Sequence, residues 1–175
     1  MSEEEILDQY DYSTNDYLYK VEEKYSKLIG LVLIRFSELE HSLNLSIVES
    51  INDRSHDDGY VVIEELKTYS KIQLFYKLHL RKISIIGKAK EIVKLMQLKN
   101  ELEEIALFRN KIVHASWHTL DKQGLVRTKV AVNRQDEYVL FRKVVILPKI
   151  IRQQIRAVER LTLSFEDFVE QVQNL

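Results

Sequence analysis

The segment YSKLIGLVLIRFSELEHSLNLSIV, residues 25–48, decides the fold class. Its large apolar residues recur every three or four positions, which is the spacing of one face of an α-helix. On a wheel of about 100° per residue, seven apolar residues of this segment and of the residues just before it lie within about 60° of Phe36. They are Leu18, Tyr25, Ile29, Val32, Leu39, Leu43 and Ile47. The pattern predicts one long helix over residues 15–52.

The same spacing predicts three further helices, over 61–83, 88–113 and 148–173. Polar residues 51–59 and Gly87 separate the first three, and the pair Asp58-Gly59 has turn chemistry. Pro148 suits the first turn of the last helix, where a proline removes no intrahelical hydrogen bond. The residues predicted to face the core are Leu66, Tyr69, Leu74 and Leu78, then Ile92, Leu95, Leu98, Leu102, Ile105, Ala106 and Val113, and last Ile151, Ile155, Val158, Leu161, Phe165, Phe168 and Val172.

Two segments between the third and last predicted helices have the composition of β-strands rather than of helices. LVRTKVAV and YVLFRKVVI are rich in β-branched residues and flank the polar cluster NRQDE, which predicts a β-hairpin within residues 120–147. The predicted fold class is therefore mainly all-α: a four-helix up-and-down bundle with a small β-hairpin between the third and fourth helices. We expect one domain over residues 1–175, with residues 1–14 as a flexible acidic N-terminus.

Composition excludes several classes of protein and site. The chain has 4 Gly, 1 Pro and no Cys, which suits long helices and excludes disulfides and thiolate metal sites. The start, MSEEEILDQYDYSTND, is too acidic for a signal peptide, and no apolar run approaches the roughly 20 residues of a membrane span. We expect a cytoplasmic protein without a membrane partner.

Charge is distributed unevenly along the chain. Residues 66–99 contain nine bases and a single acid, Glu91, whereas residues 1–65 are strongly acidic. The basic segment is either a footprint for RNA phosphates or a solvated helix face that meets the acidic first segment. On the first interpretation the RNA-binding candidates are Lys71, Lys77, Arg81, Lys82, Lys99 and Lys111.

The end of the third helix, ALFRNKIVHASW at 106–117, carries an arginine on its apolar face. Arg109 lies about 20° from Leu102 on the helical wheel, where a guanidinium is costly unless it is paired or opens into a cleft. Glu40 likewise lies on the apolar face of the first helix. One interpretation is a Glu40–Arg109 pair that sets helix register, with His114 capping the helix. The other is a polar site in which His114 moves a proton and Arg109 holds an oxyanion.

The segment RNKIVH, residues 109–114, resembles the Rx4–6H motif of the HEPN superfamily. Asn110 matches the polar residue that usually follows the arginine in that family. The segment FSELEHSLNLSI, residues 36–47, is also similar to HEPN-like and abortive-infection-like prokaryotic families, including an inward acid at Glu40. The resemblance covers most of the chain in architecture, and its specific part is about ten residues long.

The resemblance implies a metal-independent endoribonuclease of a toxin–antitoxin or antiphage defence system. It implies no metal and no cofactor, a homodimer with a composite site, RNA as substrate, and an antitoxin or other regulatory protein as a further partner. His114 would transfer protons and Arg109 would stabilise the phosphorane. Asn110 would orient the histidine or the phosphate, and Glu40 would orient Arg109.

One position departs from the family pattern. HEPN toxins paired with nucleotidyltransferase antitoxins usually carry a tyrosine two residues after the histidine, and here that residue is Ser116. Regulation by modification of that tyrosine is therefore not expected. Two alternatives stay open: a non-catalytic HEPN-like module that binds RNA, a nucleotide or a protein partner, and a bundle in which Arg109 serves packing alone.

Overall fold

The structure, a computed structural model, describes residues 4–6, 15–52, 54–114, 116–119, 125–133 and 138–174, and describes side chains within 22–52, 54–114 and 146–174. Over these residues the chain is mainly helical, as predicted. The helices are α1 (Asn15–Ile51), α2 (His56–Ile63), α3 (Thr68–Ile86), α4 (Ala89–Val113) and α5 (Pro148–Gln173). The strands are β1 (Glu4–Ile6), β2 (Ser116–Thr119), β3 (Leu125–Asn133) and β4 (Tyr138–Val145).

Backbone contacts divide the chain into two compact units, where the sequence predicts one domain. The first unit comprises residues 1–32 and 110–154, and the second comprises residues 33–109 and 155–175. The four strands belong to the first unit. Most of the helical core belongs to the second.

The sheet of the first unit is antiparallel, with strand order β1-β4-β3-β2. Strands β3 and β4 pair from Val126 opposite Val145 to Asn133 opposite Tyr138, and these are the two segments whose β-branched composition predicts strands. Strands β1 and β2 were not predicted, because three or four residues are too few to carry a recognisable alternation. Of the predicted flexible N-terminus, Glu4–Ile6 pairs with β4, and residues 1–3 and 7–14 lie outside the described residues.

The predicted apolar face of α1 is confirmed. The side chains of Tyr25 and Val32 are buried in the first unit, and the second unit buries the four that follow at the same spacing. Those four are Phe36, Leu39, Leu43 and Ile47. Ile29 is half-buried, and the side chain of Leu18 lies outside the described residues.

The prediction of one helix over 61–83 is wrong, because two helices occupy this region. Helix α2 begins after Ser55 and takes in Asp57 and Asp58, whose carboxylates favour a helix N-terminus. The predicted turn at Asp58-Gly59 is therefore also wrong. A Cβ on Gly59 would lie 2.7 Å from Val48 Cγ1 and 2.9 Å from Val48 Cα, so glycine lets α2 approach α1 closely.

The error in helix extent also shifted the predicted inner face of α3. Residues 64–67 leave the helix and α3 begins anew at Thr68, so Tyr69 is 61% exposed rather than inward. The buried side chains of α3 are Ile72, Phe75, His79 and Ile83. Leu66, Leu74 and Leu78 are half-buried. Gly87 ends the helix in the left-handed conformation, with φ of 77°, which confirms the predicted break.

Helices α4 and α5 follow their predicted faces closely. All seven apolar residues predicted to be inward on α5 are buried, and so are Leu95, Leu98, Leu102, Ile105 and Ala106 on α4. At the end of α4 the prediction for Val113 is wrong: it is 39% exposed and Ile112 is buried instead. Phe75 of α3 and Phe165 of α5 meet in the core of the second unit, with ring centroids 4.9 Å apart.

Candidate functional site

The RNKIVH motif forms the last turn of α4. Arg109 is half-buried, whereas Asn110 and His114 are exposed. The backbone N–H of His114 donates to the carbonyl oxygen of Asn110 at 3.1 Å, which continues the helical hydrogen-bond pattern one residue beyond Val113. The imidazole of His114 is therefore presented to solvent at the point where the helix ends.

Arg109 packs against an aromatic side chain of the core. Its guanidinium carbon lies 5.6 Å from the centroid of the Phe36 ring, and Phe36 is 5% exposed. A guanidinium over an aromatic face gains a cation–π attraction, and its aliphatic stem covers apolar surface. Arg109 thus lies on the apolar face of α4, as predicted, and its side chain is half-buried.

Glu40 contacts the start of α3. Its Oε1 accepts a hydrogen bond from Thr68 Oγ1 at 2.7 Å, and both residues are half-buried. This contact was not predicted, since Thr68 is 28 residues away along the chain. The predicted pairing of Glu40 with Arg109 stays a prediction.

The predicted site residues fall into two groups. Arg109 and Glu40 belong to the second unit, and Asn110 and His114 belong to the first. The contacts given above are therefore contacts within one unit or the other. The composite site of a homodimer stays a prediction. Ser116 lies in β2, and its side chain is outside the described residues.

The predicted RNA-binding residues differ in their surroundings. On α3, Lys77 and Arg81 are exposed, lie about 40° apart on one helix face, and have no ion-pair partner among the described residues. Lys99 is already engaged, because its Nζ lies 2.9 Å from Glu103 Oε1 and 5.9 Å from the Tyr76 ring centroid. Of these three candidates, Lys77 and Arg81 are therefore the two whose charges remain available for a phosphate.

The remaining three candidates share no such face. Lys71 is half-buried and lines a cavity of about 400 Å³ together with Glu64. Lys111 is exposed and belongs to the first unit. Lys82 is turned about 100° from Arg81 and lines a different, larger cavity.

A buried polar pair in the second unit was missed by the sequence reasoning. His79 and Ser46 are 4% and 3% exposed, and the pair is held between α3 and α1. The Nδ1 atom of His79 lies 3.1 Å from the carbonyl oxygen of Phe75 and must donate to it, so Nε2 accepts from Ser46 Oγ at 3.3 Å. The one available sequence signal was the spacing of His79, four residues after Phe75 and four before Ile83.

The surroundings of His79 favour its neutral form. The pKa of His79 is lowered from 6.5 to about 4. Burial is the main cause, the charge of Lys82 acts in the same direction, and the hydrogen bond to the Phe75 carbonyl opposes both. The ring also packs at 4.3 Å from the Phe75 ring, measured between centroids. His79 is thus a neutral, doubly hydrogen-bonded imidazole.

His79 forms part of the wall of a cavity of about 610 Å³ in the second unit. The cavity is lined by the end of α1, the start of α2, the middle of α3 and the end of α5. Within 22–52, 54–114 and 146–174, no group of three or more histidine, aspartate or glutamate side chains is arranged to hold a metal ion.

Comparisons with protein-family models, with curated proteins and with solved structures find no match to this chain. None of the helices in the described part of the chain combines the length and apolar character that a membrane crossing requires. The functional hypothesis is therefore carried by the motif at the end of α4 and by the contacts of its residues.

Proposed function

We propose that the protein is a HEPN-like, metal-independent endoribonuclease of a toxin–antitoxin or antiphage defence system in the cytoplasm. The proposed architecture is an up-and-down bundle of the four long helices, α1, α3, α4 and α5, with the hairpin of β3 and β4 between α4 and α5. The observation that carries the proposal is the RNKIVH motif at the end of α4, in which the side chain of Arg109 is half-buried and that of His114 is exposed. RNA is the proposed substrate, and an antitoxin or other regulatory protein is a proposed partner.

In the proposed reaction, His114 accepts the proton of the ribose 2′-OH as the 2′-oxygen attacks the adjacent phosphorus. The bond from phosphorus to the 5′-oxygen then breaks, and an imidazolium donates a proton to the departing oxygen. The products are a 2′,3′-cyclic phosphate and a 5′-hydroxyl. The exposure of His114 at the end of α4 supports this role, because a base must reach the substrate.

Arg109 is proposed to stabilise the pentavalent phosphorane. A guanidinium presents parallel N–H donors that match two phosphate oxygens, and its charge stays fixed throughout the reaction. Its contact with Phe36 limits the rotamers that the side chain can adopt. Asn110, exposed and adjacent, would orient the phosphate or the histidine, and Glu40 is a positioning residue toward Arg109.

The first experiment is cleavage of structured and unstructured RNAs in EDTA by the wild type, Arg109→Ala and His114→Ala. Matched controls are Arg160→Ala and His41→Ala, which remove an exposed residue of each type outside the motif. We expect the motif variants to lose roughly 10²-fold or more of the rate, while the controls keep it. A 2′-deoxy substitution at the cleaved position should abolish cleavage.

Circular dichroism of each variant separates lost chemistry from lost folding. His114→Ala should keep the fold, since the side chain is exposed at a helix end. Wild-type cleavage that stops in EDTA, or His114→Ala that cuts as well as the wild type, would exclude the proposed mechanism.

Binding of RNA without cleavage is the second candidate function. The observation that favours it is the exposed pair Lys77 and Arg81, which has no ion-pair partner among the described residues. A non-catalytic module would lose RNA affinity in Lys77→Gln and Arg81→Gln, with a reduced dependence on salt, and would not respond to His114→Ala. Gel-shift titrations at two salt concentrations distinguish the two functions.

A further inference from the structure

The cavity beside His79 has the size and lining of a small-molecule site. Its volume of about 610 Å³ lies within the range of roughly 300–1,000 Å³ that is usual for ligand pockets. Leu78 and Val172 contribute apolar surface, and Glu49, His56 and Lys82 contribute polar groups. All of these residues belong to the second unit, and none belongs to the proposed RNA-cleaving motif.

Two polar side chains of the cavity wall, Glu49 and Asn52, are hydrogen-bonded within the protein. Glu49 Oε2 accepts from Gln173 Nε2 at 2.8 Å, so the single acidic side chain in the described wall already has a neutral donor. Both polar atoms of the Asn52 side chain are hydrogen-bonded. Its Oδ1 accepts from the backbone N–H of Arg54 at 3.1 Å, and its Nδ2 donates to Asp58 Oδ2 at 3.3 Å.

Two side chains of the same wall that can donate hydrogen bonds, Lys82 and His56, are not engaged. Neither Lys82 nor His56 has a hydrogen-bond or ion-pair partner among the described residues, and both side chains are exposed at the cavity. The capacity left for a ligand is therefore that of donors and positive charge. An oxyanion is the chemical group that such a wall binds best.

We infer that this cavity binds a small organic oxyanion, with its phosphate or carboxylate held by Lys82 and His56 and its apolar body against Leu78 and Val172. Phosphate and carboxylate groups both carry negatively charged oxygens that accept hydrogen bonds from a lysine and an imidazole. The apolar wall excludes water from one side of the ligand and strengthens the charged contacts on the other.

His79 lies in the cavity wall, so its pKa reports on whether an anion occupies the cavity. The groups that face the cavity near it are Glu49 from α1, His56 from α2 and Lys82 from α3, with neutral Gln173 from α5. Lys82 contributes to the lowered pKa of His79, so an anion bound to Lys82 offsets that effect. Occupancy of the cavity should therefore raise the pKa of His79.

The test is a methyl NMR titration at constant ionic strength with phenyl phosphate, benzoate and neutral benzyl alcohol as probes. We expect saturable shifts of the Leu78 and Val172 methyl groups with one or both anions, and the comparison of the two identifies the preferred head group. Lys82→Gln should weaken anion binding by about tenfold or more, which is the effect of losing one charged contact. Lys90→Gln removes an exposed lysine of α4 that does not line the cavity and should bind like the wild type.

Several outcomes would overturn the inference. These are the absence of saturable shifts, equal binding of benzyl alcohol, or equal weakening by Lys82→Gln and Lys90→Gln. In a parallel pH titration of the His79 ring resonances, phenyl phosphate, which stays an anion through the range in which His79 titrates, should move the midpoint upward. If phenyl phosphate shifts the methyl groups but leaves this midpoint unchanged, the anion binds elsewhere. His56→Gln, which alters only an exposed side chain, provides a second variant if Lys82→Gln does not fold.

Discussion

The imidazole of His79 is one of the few polar groups buried among the described residues, and the fold satisfies both of its nitrogens. A neutral histidine fits this environment because one nitrogen must donate to the Phe75 carbonyl while the other accepts from Ser46. Protonation would replace the acceptor with a second donor and place a charge in an apolar region near Lys82. The residue therefore links folding to pH.

Stability should fall as the pH falls from about 6.5 to about 4. The pKa of His79 is lowered from 6.5 to about 4 on folding, so over this window the unfolded chain binds more protons than the folded one. Above about pH 6.5, His79 is neutral in both the folded and the unfolded chain. As the pH falls toward 4, the unfolded chain takes up a proton that the folded chain excludes, and the free energy of unfolding falls by about 3 kcal/mol. Urea unfolding of the wild type and His79→Gln between these pH values measures it.

The variant should show a shallower dependence of the free energy of unfolding on pH. His41→Gln, which alters an exposed histidine of α1, should keep the wild-type slope. Equal slopes for the wild type and His79→Gln would show that another group causes the acid sensitivity.

At the scale of secondary-structure elements, α2 is held by its close approach to α1. Gly59 of α2 faces Val48 of α1 so tightly that any side chain must displace part of α1, including its backbone. Glu40 of α1 in turn accepts the hydrogen bond from Thr68 at the first residue of α3. Contacts from α1 therefore determine where α2 packs and where α3 begins.

Gly59→Ala should destabilise the protein by about 1–3 kcal/mol, the usual cost of overpacking a well-filled contact. Gly30→Ala is the matched control, since a Cβ on Gly30 of α1 has no atom within 4 Å and alanine is favoured inside a helix. We expect Gly30→Ala to be neutral or stabilising by up to about 1 kcal/mol. Thermal melts of both variants test this, and a Gly59→Ala as stable as the wild type would contradict the close approach.

At the scale of the whole molecule, the proposed chemistry favours two copies of the chain. Cleavage needs one group to take the 2′-OH proton and another to protonate the 5′-oxygen, and each motif contains a single histidine, His114. A homodimer with facing motifs would supply a second imidazole to the same cleft. This is the physical reason for the composite site that the family resemblance implies.

We therefore expect a particle of twice the 20.8 kDa mass of one chain in sedimentation velocity at the concentrations used for cleavage. The control is a dilution series in which cleavage per chain is measured at each concentration. Activity should fall together with the dimer fraction. Full activity from a monomer would restrict the reaction to the residues of one chain.

The sequence by itself determined the extent of α1, α4 and α5 and most of their inner faces. The seven apolar residues of α5 and the apolar face of α1 were predicted because the helical period of 3.6 residues is a local property of the backbone. The half-buried position of Arg109 followed from the same period. Gly87 and Pro148 mark helix limits through their own backbone chemistry.

Only the tertiary structure decided the division between α2 and α3, the need for glycine at position 59, and the cavity beside His79. These features depend on residues far apart in sequence: Ser46 and His79 are 33 positions apart, and Glu40 and Thr68 are 28 apart. A local period contains no information about which side chain from another helix will occupy the facing position. Burial and hydrogen bonding between distant segments are decided when the helices pack, because only then is water excluded from the groups between them.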